Sequence, residues 1–130
     1  MKFTAIRENH LFVKAYRGGS RFTAPAFSLY VLKDRQAYRF RKARPDKQFI
    51  NRIGISASKK IGGAVERNRA KRVIREALRQ VMAERALKTG FLIVIADREK
   101  ATEVRMQDVK RDLQRALTKL GMVSDHLSPT

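Results

Sequence analysis

Apolar residues recur about every three to four positions in three parts of the chain, which is the spacing of helices that bury one side. The predicted helices span residues 9–17, 64–87 and 103–120. We expect Asn9 and Thr102 to cap the first and third helices, because such side chains accept hydrogen bonds from free backbone N–H groups. The glycines predicted to end the helical segments are Gly18, Gly19, Gly90 and Gly121.

Shorter apolar segments predict strands at residues 26–34 and 49–58. Residues 91–96, "FLIVIA", are continuously apolar, which is typical of a strand covered on both faces. An alternation at residues 38–42 is compatible with one more short strand. In the first strand, one face is predicted to carry Phe27, Leu29 and Val31, and the other Ser28, Tyr30 and Leu32.

The order of these elements favours an α+β fold in one domain. We expect a two-layer sandwich in which a mixed β-sheet of about four strands packs against helices. The chain has 130 residues, enough for a single core, so we assign one domain to residues 1–121 and a flexible C-terminal tail to residues 122–130. On general rules the strand-helix-strand unit at 49–96 is right-handed.

The charge of the chain indicates a polyanionic partner. Lys and Arg number 30 against 12 Asp and Glu, giving a formal charge of +18. Nucleic acid is the leading candidate, and a membrane surface is the alternative. The sequence contains no apolar run of about 18 residues, no signal-peptide pattern and no lipidation motif, so we expect a soluble protein without a membrane partner. The absence of cysteine excludes disulfides and cysteine-based zinc sites.

The second predicted helix, which contains "VERNRAKRVIREALR", divides its side chains between two sides. At the helical step, the apolar side carries Ala70, Val73, Ile74, Ala77, Leu78 and Val81. Nearly opposite lie Asn68, Arg72, Arg75 and Arg79. Basic residues also crowd the first turns, where the helix dipole disfavours cations. A solvated charged face is one interpretation, but the excess of arginine over acids favours a polyanion-binding face.

Catalytic patterns are weak throughout the chain. No Gly-Lys-Ser/Thr follows the glycines at 62–63, which argues against a P-loop. The two histidines, His10 and His126, are each better explained as exposed polar residues than as general bases. Asp97 and Glu99 follow a buried strand and could hold a metal, but this pattern is common. We therefore predict neither catalytic residues nor a metal site in the protein itself.

Residues 52–79, "RIGISASKKIGGAVERNRAKRVIREALR", closely resemble the protein component of bacterial ribonuclease P. The shared features are a strand, a Ser-x-Ser-Lys-Lys segment, a glycine-containing loop and an Arg-Asn-Arg helix. The segments "LFVKAYRGG", "FSLYVL" and "FLIVIADR" extend the resemblance. This chain departs from the family in its longer and more basic segment at 35–48, and in Leu11, where the family usually has an acidic residue.

The resemblance implies a specific function. Ribonuclease P removes the 5′ leader from precursor tRNA, its RNA subunit performs the chemistry with Mg²⁺, and the protein is an accessory subunit. The expected partners are therefore the catalytic RNA and the precursor tRNA leader, with one protein per RNA, in the cytoplasm. Mg²⁺ would be bound mainly through the RNA. The family fold also contains a left-handed strand-helix-strand crossover, against the general rule.

The resemblance also assigns residues to two surfaces. The surface for the catalytic RNA comprises Lys59, Lys60, Arg67, Asn68, Arg69, Lys71, Arg72 and Arg75. Arg79 extends this surface by helical geometry. The leader site carries the aromatic residues Phe12, Tyr16 and Tyr30, whose rings can stack on unpaired bases. For Phe12, a place in the hydrophobic core is an equally good interpretation.

Two other functions remain as alternatives at this stage. One is a ribosomal or general RNA-binding protein with a similar fold, which the charge favours but the Ser-x-Ser-Lys-Lys and Arg-Asn-Arg motifs do not. The other is a self-sufficient nuclease that uses Asp97 and Glu99.

Overall fold

Five strands form one mixed sheet in the computed structural model, which describes residues 3–35 and 51–123. The strands are β1 (Phe3–Ala5), β2 (Ser20–Thr23), β3 (Phe27–Lys33), β4 (Asn51–Ala57) and β5 (Phe91–Asp97). Their order across the sheet is β1-β4-β5-β3-β2. The first three strands in this order are parallel, and β3 and β2 are antiparallel to their neighbours. The predicted short strand at 38–42 lies outside the described residues.

Within residues 3–35 and 51–123, three α-helices cover the sheet, and the predicted α+β class with a mixed sheet is confirmed. The helices are α1 (Asn9–Gly18), α2 (Ala64–Glu84) and α3 (Met106–Lys119). Short 3-10 turns at Lys59–Ile61 and Glu99–Thr102 follow β4 and β5. The left-handed β4-α2-β5 crossover implied by the resemblance stays a prediction. None of the helices in the described ranges combines the length and apolar composition that crossing a membrane requires.

The sheet separates two apolar clusters. On one face, Phe27, Leu29, Ile93 and Ile95 pack in the main core with the buried sides of α2 and α3. On the other face, α1 contributes Leu11 and Ala15, which pack with Ile6, Leu92 and Val94. The described helices therefore lie on both faces, with α1 on one face and α2 and α3 on the other. Strand β5 supplies residues to both clusters, which confirms that it is covered on both sides.

The predicted N-caps of the first and third helices are wrong. Glu8 occupies the N-cap position of α1, so Asn9 is already helical. Thr102 lies in the 3-10 turn, where its hydroxyl donates to the Glu99 carbonyl oxygen. Residues 103–105, which the apolar pattern assigns to the helix, instead continue this turn, because the N–H groups of Glu103 and Val104 both donate to the Lys100 carbonyl oxygen. Helix α3 therefore begins at Met106.

Helix α2 ends at Glu84, three residues before the predicted end at 87. Leu87 continues the apolar pattern, but the loop after the helix buries it in the main core. The following N–H, that of Lys88, donates to the Met122 carbonyl oxygen. Leu87 therefore falls at helical spacing although it lies in a loop, and this is why the predicted helix is too long.

The packed domain also extends beyond residue 121, because Met122 and Val123 are buried in the main core. Gly121 turns the chain after α3 with φ of 76°, and N–H groups of Gly121 and Met122 donate to Thr118 and Leu117. This is the Schellman arrangement of a helix end. The predicted tail therefore starts no earlier than residue 124, and residues 124–130 lie outside the described ranges.

We expect Gly121→Ala to lower the free energy of unfolding by about 1 kcal/mol, because an L-residue is disfavoured at this positive φ. No heavy atom lies within 4 Å of the added methyl group, so steric contact contributes nothing. Gly18→Ala is the matched control, since Gly18 lacks a positive φ and its methyl group would make ordinary contact with Leu32. Urea denaturation measures both variants. Equal losses in the two would contradict the assignment.

Candidate nucleic-acid interface

Helix α2 begins directly after the glycine loop, without a capping side chain. The Ser-x-Ser-Lys-Lys segment begins at the end of β4 and continues into the 3-10 turn at Lys59–Ile61. Gly62, with φ of 143°, then changes the direction of the chain. Gly63 is the N-cap residue and makes no side-chain hydrogen bond. Glu66 is the acid in the first turn. The Glu66 carboxylate lies beside Gly62 and Gly63 and partly offsets the positive charge of this helix end, but no side chain of the N-cap residue hydrogen-bonds the N–H groups there, so an external anion can bind them.

The two predicted sides of α2 are confirmed by burial. The residues buried against the sheet and α3 are Ala70, Ile74, Ala77, Leu78, Val81 and Met82, and Val73 packs beside them. On the outer side, Asn68, Arg72, Arg75 and Arg79 are exposed. Arg67 and Lys71 are half-buried, whereas Arg69, Lys59 and Lys60 are exposed. The structure thus brings the assigned residues together along α2 and the turn that precedes it.

Arg79 differs from the other basic residues of this surface because it forms an ion pair with Glu76 one turn earlier. Its Nη2 and Nε atoms donate to the two carboxylate oxygens at 2.5 and 3.0 Å. These hydrogen bonds lower the pKa of Glu76 to about 2. Within the described part of the chain, Arg79 is the one basic residue of this surface that forms an ion pair. A phosphate at Arg79 must therefore compete with a carboxylate that is already hydrogen-bonded to this guanidinium group.

Asp97 and Glu99 do not form a metal site in the described residues. Asp97 is buried at 7% exposure, and neither of its oxygens has a hydrogen-bond partner there. Glu99 is exposed in the adjoining 3-10 turn. Within the described ranges no group of three or more His, Cys, Asp or Glu residues could hold a metal ion. Burial raises the pKa of Asp97 to about 7, against the opposing effect of Lys71 and Arg75.

The aromatic residues assigned to the leader site form one continuous cluster on the α1 face of the sheet. The ring centroids of Tyr16 and Tyr30 are 5.0 Å apart in an edge-to-face contact, and those of Phe12 and Tyr16 are 6.5 Å apart. Tyr16 is 39% exposed, while Phe12 and Tyr30 are half-buried against the smaller apolar cluster. Phe12 is therefore both a core contact and part of the cluster. Tyr16 presents the largest accessible ring surface.

Two residues of β4 that the sequence did not assign to the leader site position this cluster. The Ser56 Oγ and the Tyr16 hydroxyl lie 2.8 Å apart in a hydrogen bond. Gly54 lies under Phe12, and a Cβ atom there would come within 2.6 Å of the Phe12 ring. A glycine inside a strand is a signal of such close approach and could have been used from the sequence. The partner of Tyr16 could not, because the two residues are 40 positions apart.

Strand β4 is anchored at its start by two polar side chains. Arg52 forms a bidentate ion pair with the buried Asp34, with N–O distances of 2.6 and 2.9 Å. Asn51 donates to the Lys88 carbonyl oxygen and accepts from the Phe91 N–H, which ties β4 to the start of β5. These contacts set the register of the strand that carries Gly54 and Ser56 on one face.

The fold and these surfaces define a basic α+β protein with an arginine-rich helix on one side of the sheet and an aromatic cluster on the other. The family model for ribonuclease P matches residues 1–121. A ribonuclease P protein component of Clostridium acetobutylicum is 37% identical over 123 residues, covering 95% of this chain and 93% of the relative. Another, from Clostridium botulinum, is 33% identical over 122 residues, covering 94% and 98%.

A solved structure agrees with these relatives. The RNase P protein of Staphylococcus aureus has a TM-score of 0.70 at 25% identity, covering 93% of this chain and 98% of that one. The chain belongs to the ribonuclease P protein component family. It is therefore a tRNA-processing, RNA-binding protein whose partner is the RNA subunit of a ribonuclease.

Proposed function

We propose that this protein is an accessory subunit that binds the catalytic RNA through α2 and the single-stranded 5′ leader of precursor tRNA through the aromatic cluster. The RNA subunit would cut the leader, with Mg²⁺ held mainly by RNA, one protein per RNA and a cytoplasmic location. The observation that carries the proposal is the placement of two chemically different surfaces on opposite faces of one sheet.

The outer side of α2 suits a folded RNA, because its guanidinium groups can each contact two phosphate oxygens. The uncapped helix N-terminus adds a positive end to the same surface. Apolar residues fix the opposite side of α2 in the core, so the basic groups need no rearrangement of the backbone to meet RNA. Phosphate contacts of this kind carry affinity without reading sequence.

The aromatic cluster suits an unpaired strand. Base stacking on aromatic rings contributes about 1 to 3 kcal/mol per base and tolerates any sequence. Tyr16 is held by its hydrogen bond to Ser56 and its contact with Tyr30, so its ring is oriented before a base arrives. The basic residues Lys14 and Arg17 are exposed on α1, the helix that carries Tyr16, and can contact the phosphates of the unpaired RNA.

Reconstitution tests the proposal directly. Precursor tRNA is incubated with Mg²⁺ and the purified protein, the catalytic RNA, or both, at physiological salt. We expect the protein alone to be inactive and to stimulate cleavage by the RNA. Cleavage by the protein alone would instead support a self-sufficient nuclease. An RNA that is not stimulated would support a general RNA-binding protein.

We expect Tyr16→Ala combined with Tyr30→Ala to weaken binding of precursor tRNA by the assembled enzyme about 5- to 150-fold, because the exposed ring that stacks one base and the ring that supports it are lost. Binding of tRNA without a leader should change little. The matched control is Tyr16→Phe with Tyr30→Phe, which keeps both rings and removes the hydrogen bond to Ser56. Fluorescence titration with both RNAs measures the effect. An equal loss for the two substrates would rule out the leader assignment.

A further inference from the structure

The last residue of β5 is a buried acid that lies under the RNA-binding side of α2. Asp97 follows Ile93 and Ile95 on the sheet face that α2 covers, because side chains alternate along a strand. Its side chain is almost fully buried, and neither oxygen has a hydrogen-bond partner among the described residues. A carboxylate in such a place has lost its hydration without replacement. Its charge state therefore depends on the charges around it.

Cations lie near Asp97 on α2 and in the turns that line the same cavity. Lys71 and Arg75, one helical turn apart on α2, are the groups that act on it most strongly. Asp97 also lines a cavity of about 750 Å³ at the carboxyl ends of β4 and β5. The charged residues that share this cavity are Lys60, Arg98, Glu99 and Lys100. The end of β2 and the turn that follows it contribute only the uncharged residues Thr23, Ala24 and Pro25.

We propose that Asp97 is a positioning residue for the RNA-binding face. When Asp97 is ionised, it attracts Lys71 and Arg75 and repels RNA phosphate. When Asp97 is protonated, both cations are free to bind the RNA. Assembly with RNA therefore takes up a proton at Asp97. This inference rests on the proposed function, since Lys71 and Arg75 belong to the surface assigned to the catalytic RNA.

The direction of the coupling follows from the charges. In the protein alone, burial places the pKa of Asp97 near 7 although Lys71 and Arg75 favour the ionised form. RNA phosphates beside these two residues neutralise their field and add negative charge, so the pKa rises further on assembly. Linkage is reciprocal, so the protonated protein must bind RNA more tightly than the ionised protein.

The test measures the affinity of the full chain for the catalytic RNA at about pH 6 and about pH 8, at constant salt, with wild type and Asp97→Asn. We expect the wild-type affinity to be up to about tenfold lower near pH 8 than near pH 6, because Asp97 of the free protein, with its pKa near 7, ionises between these two pH values. Asp97→Asn, which cannot ionise, should bind like wild type near pH 6 and more tightly than wild type near pH 8. A variant that loses affinity equally at both pH values would show a merely structural role and overturn the proposal.

Glu99→Gln is the matched control, because it removes an exposed acid from the same cavity and should keep the wild-type pH dependence. All proteins carry His10→Gln and His126→Gln, so that imidazole titration does not contribute. If Asp97→Asn does not fold, calorimetry of the otherwise wild-type chain in buffers of different ionisation enthalpy counts the protons directly. Binding without pH dependence or proton uptake overturns this inference alone, whereas the absence of binding at both pH values overturns the proposed function as well.

Discussion

Replacing Arg67 and Arg69 together with alanine is expected to weaken assembly with the catalytic RNA about 10- to 100-fold, at roughly 1 kcal/mol for each lost phosphate contact. The two residues lie in the first turns of α2, next to the uncapped helix N-terminus, where an RNA phosphate relieves the repulsion between the cations and the helix dipole. The double variant should fold normally, because neither side chain belongs to the apolar side of the helix.

Salt dependence distinguishes phosphate contacts from other causes of weak binding. Each lost contact reduces the counterions released, so the slope of log affinity against log salt should become shallower by about 1.5. The matched control is Arg111→Ala with Arg115→Ala, which removes two exposed arginines from α3. Filter binding across a salt series measures both proteins. A control that loses as much affinity as the test variant would show that total charge, and not the α2 surface, determines assembly.

Asp97→Asn is expected to change the pH dependence of stability by up to roughly 4 kcal/mol. The pKa of Asp97 is about 7 in the folded protein, against 3.8 for an ordinary aspartate side chain. Between these values the folded chain holds a proton that the unfolded chain has released, so wild-type stability falls as pH rises from about 4 to 7. Above this window both states are ionised, and the full cost of burying the carboxylate remains. The neutral amide of the variant carries no such cost at any pH.

The measurement is urea denaturation of wild type and Asp97→Asn at intervals across this window, without RNA. The difference between the two curves isolates Asp97, because every other titrating group is shared. Glu76, whose pKa is lowered by Arg79, acts in the opposite direction and at lower pH. Glu99→Gln should follow wild type throughout. Parallel curves for wild type and Asp97→Asn would show that the pKa of Asp97 is close to its ordinary value.

The elements with a strong apolar period could be predicted from the sequence, and those that depend on distant partners could not. Helix α2 and strand β5 are recognisable because each buries a continuous set of its own residues. Strand β1 has three residues, and β2 is mostly exposed, so neither carries a readable pattern. They exist because β4 and β3 offer them backbone hydrogen-bonding partners, which is information held elsewhere in the chain.

The same division applies to the candidate sites. The basic surface could be predicted because its residues follow one another along one helix. The aromatic cluster needed the resemblance, since Tyr16 and Tyr30 belong to different elements and meet only in the folded chain. The sequence paired Asp97 with Glu99 as a weak metal site, whereas the structure buries one and exposes the other. Burial of a single acid at the end of a strand leaves no mark in a local pattern.

Strand β4 contacts both the aromatic cluster and the core beneath α2, and this limits which insertions and deletions the strand can accept. Gly54 and Ser56 face the aromatic cluster, while Ile53 and Ile55 face the core beneath α2. Substitutions along the strand can alter one side without the other. Inserting or deleting a single residue within β4 would exchange its two faces. Phe12 would then lose the space that Gly54 leaves for its ring, and Ser56 would be buried in the core. We therefore expect related sequences to vary in loop length but to keep the number of residues between the positions of Arg52 and Lys59 constant.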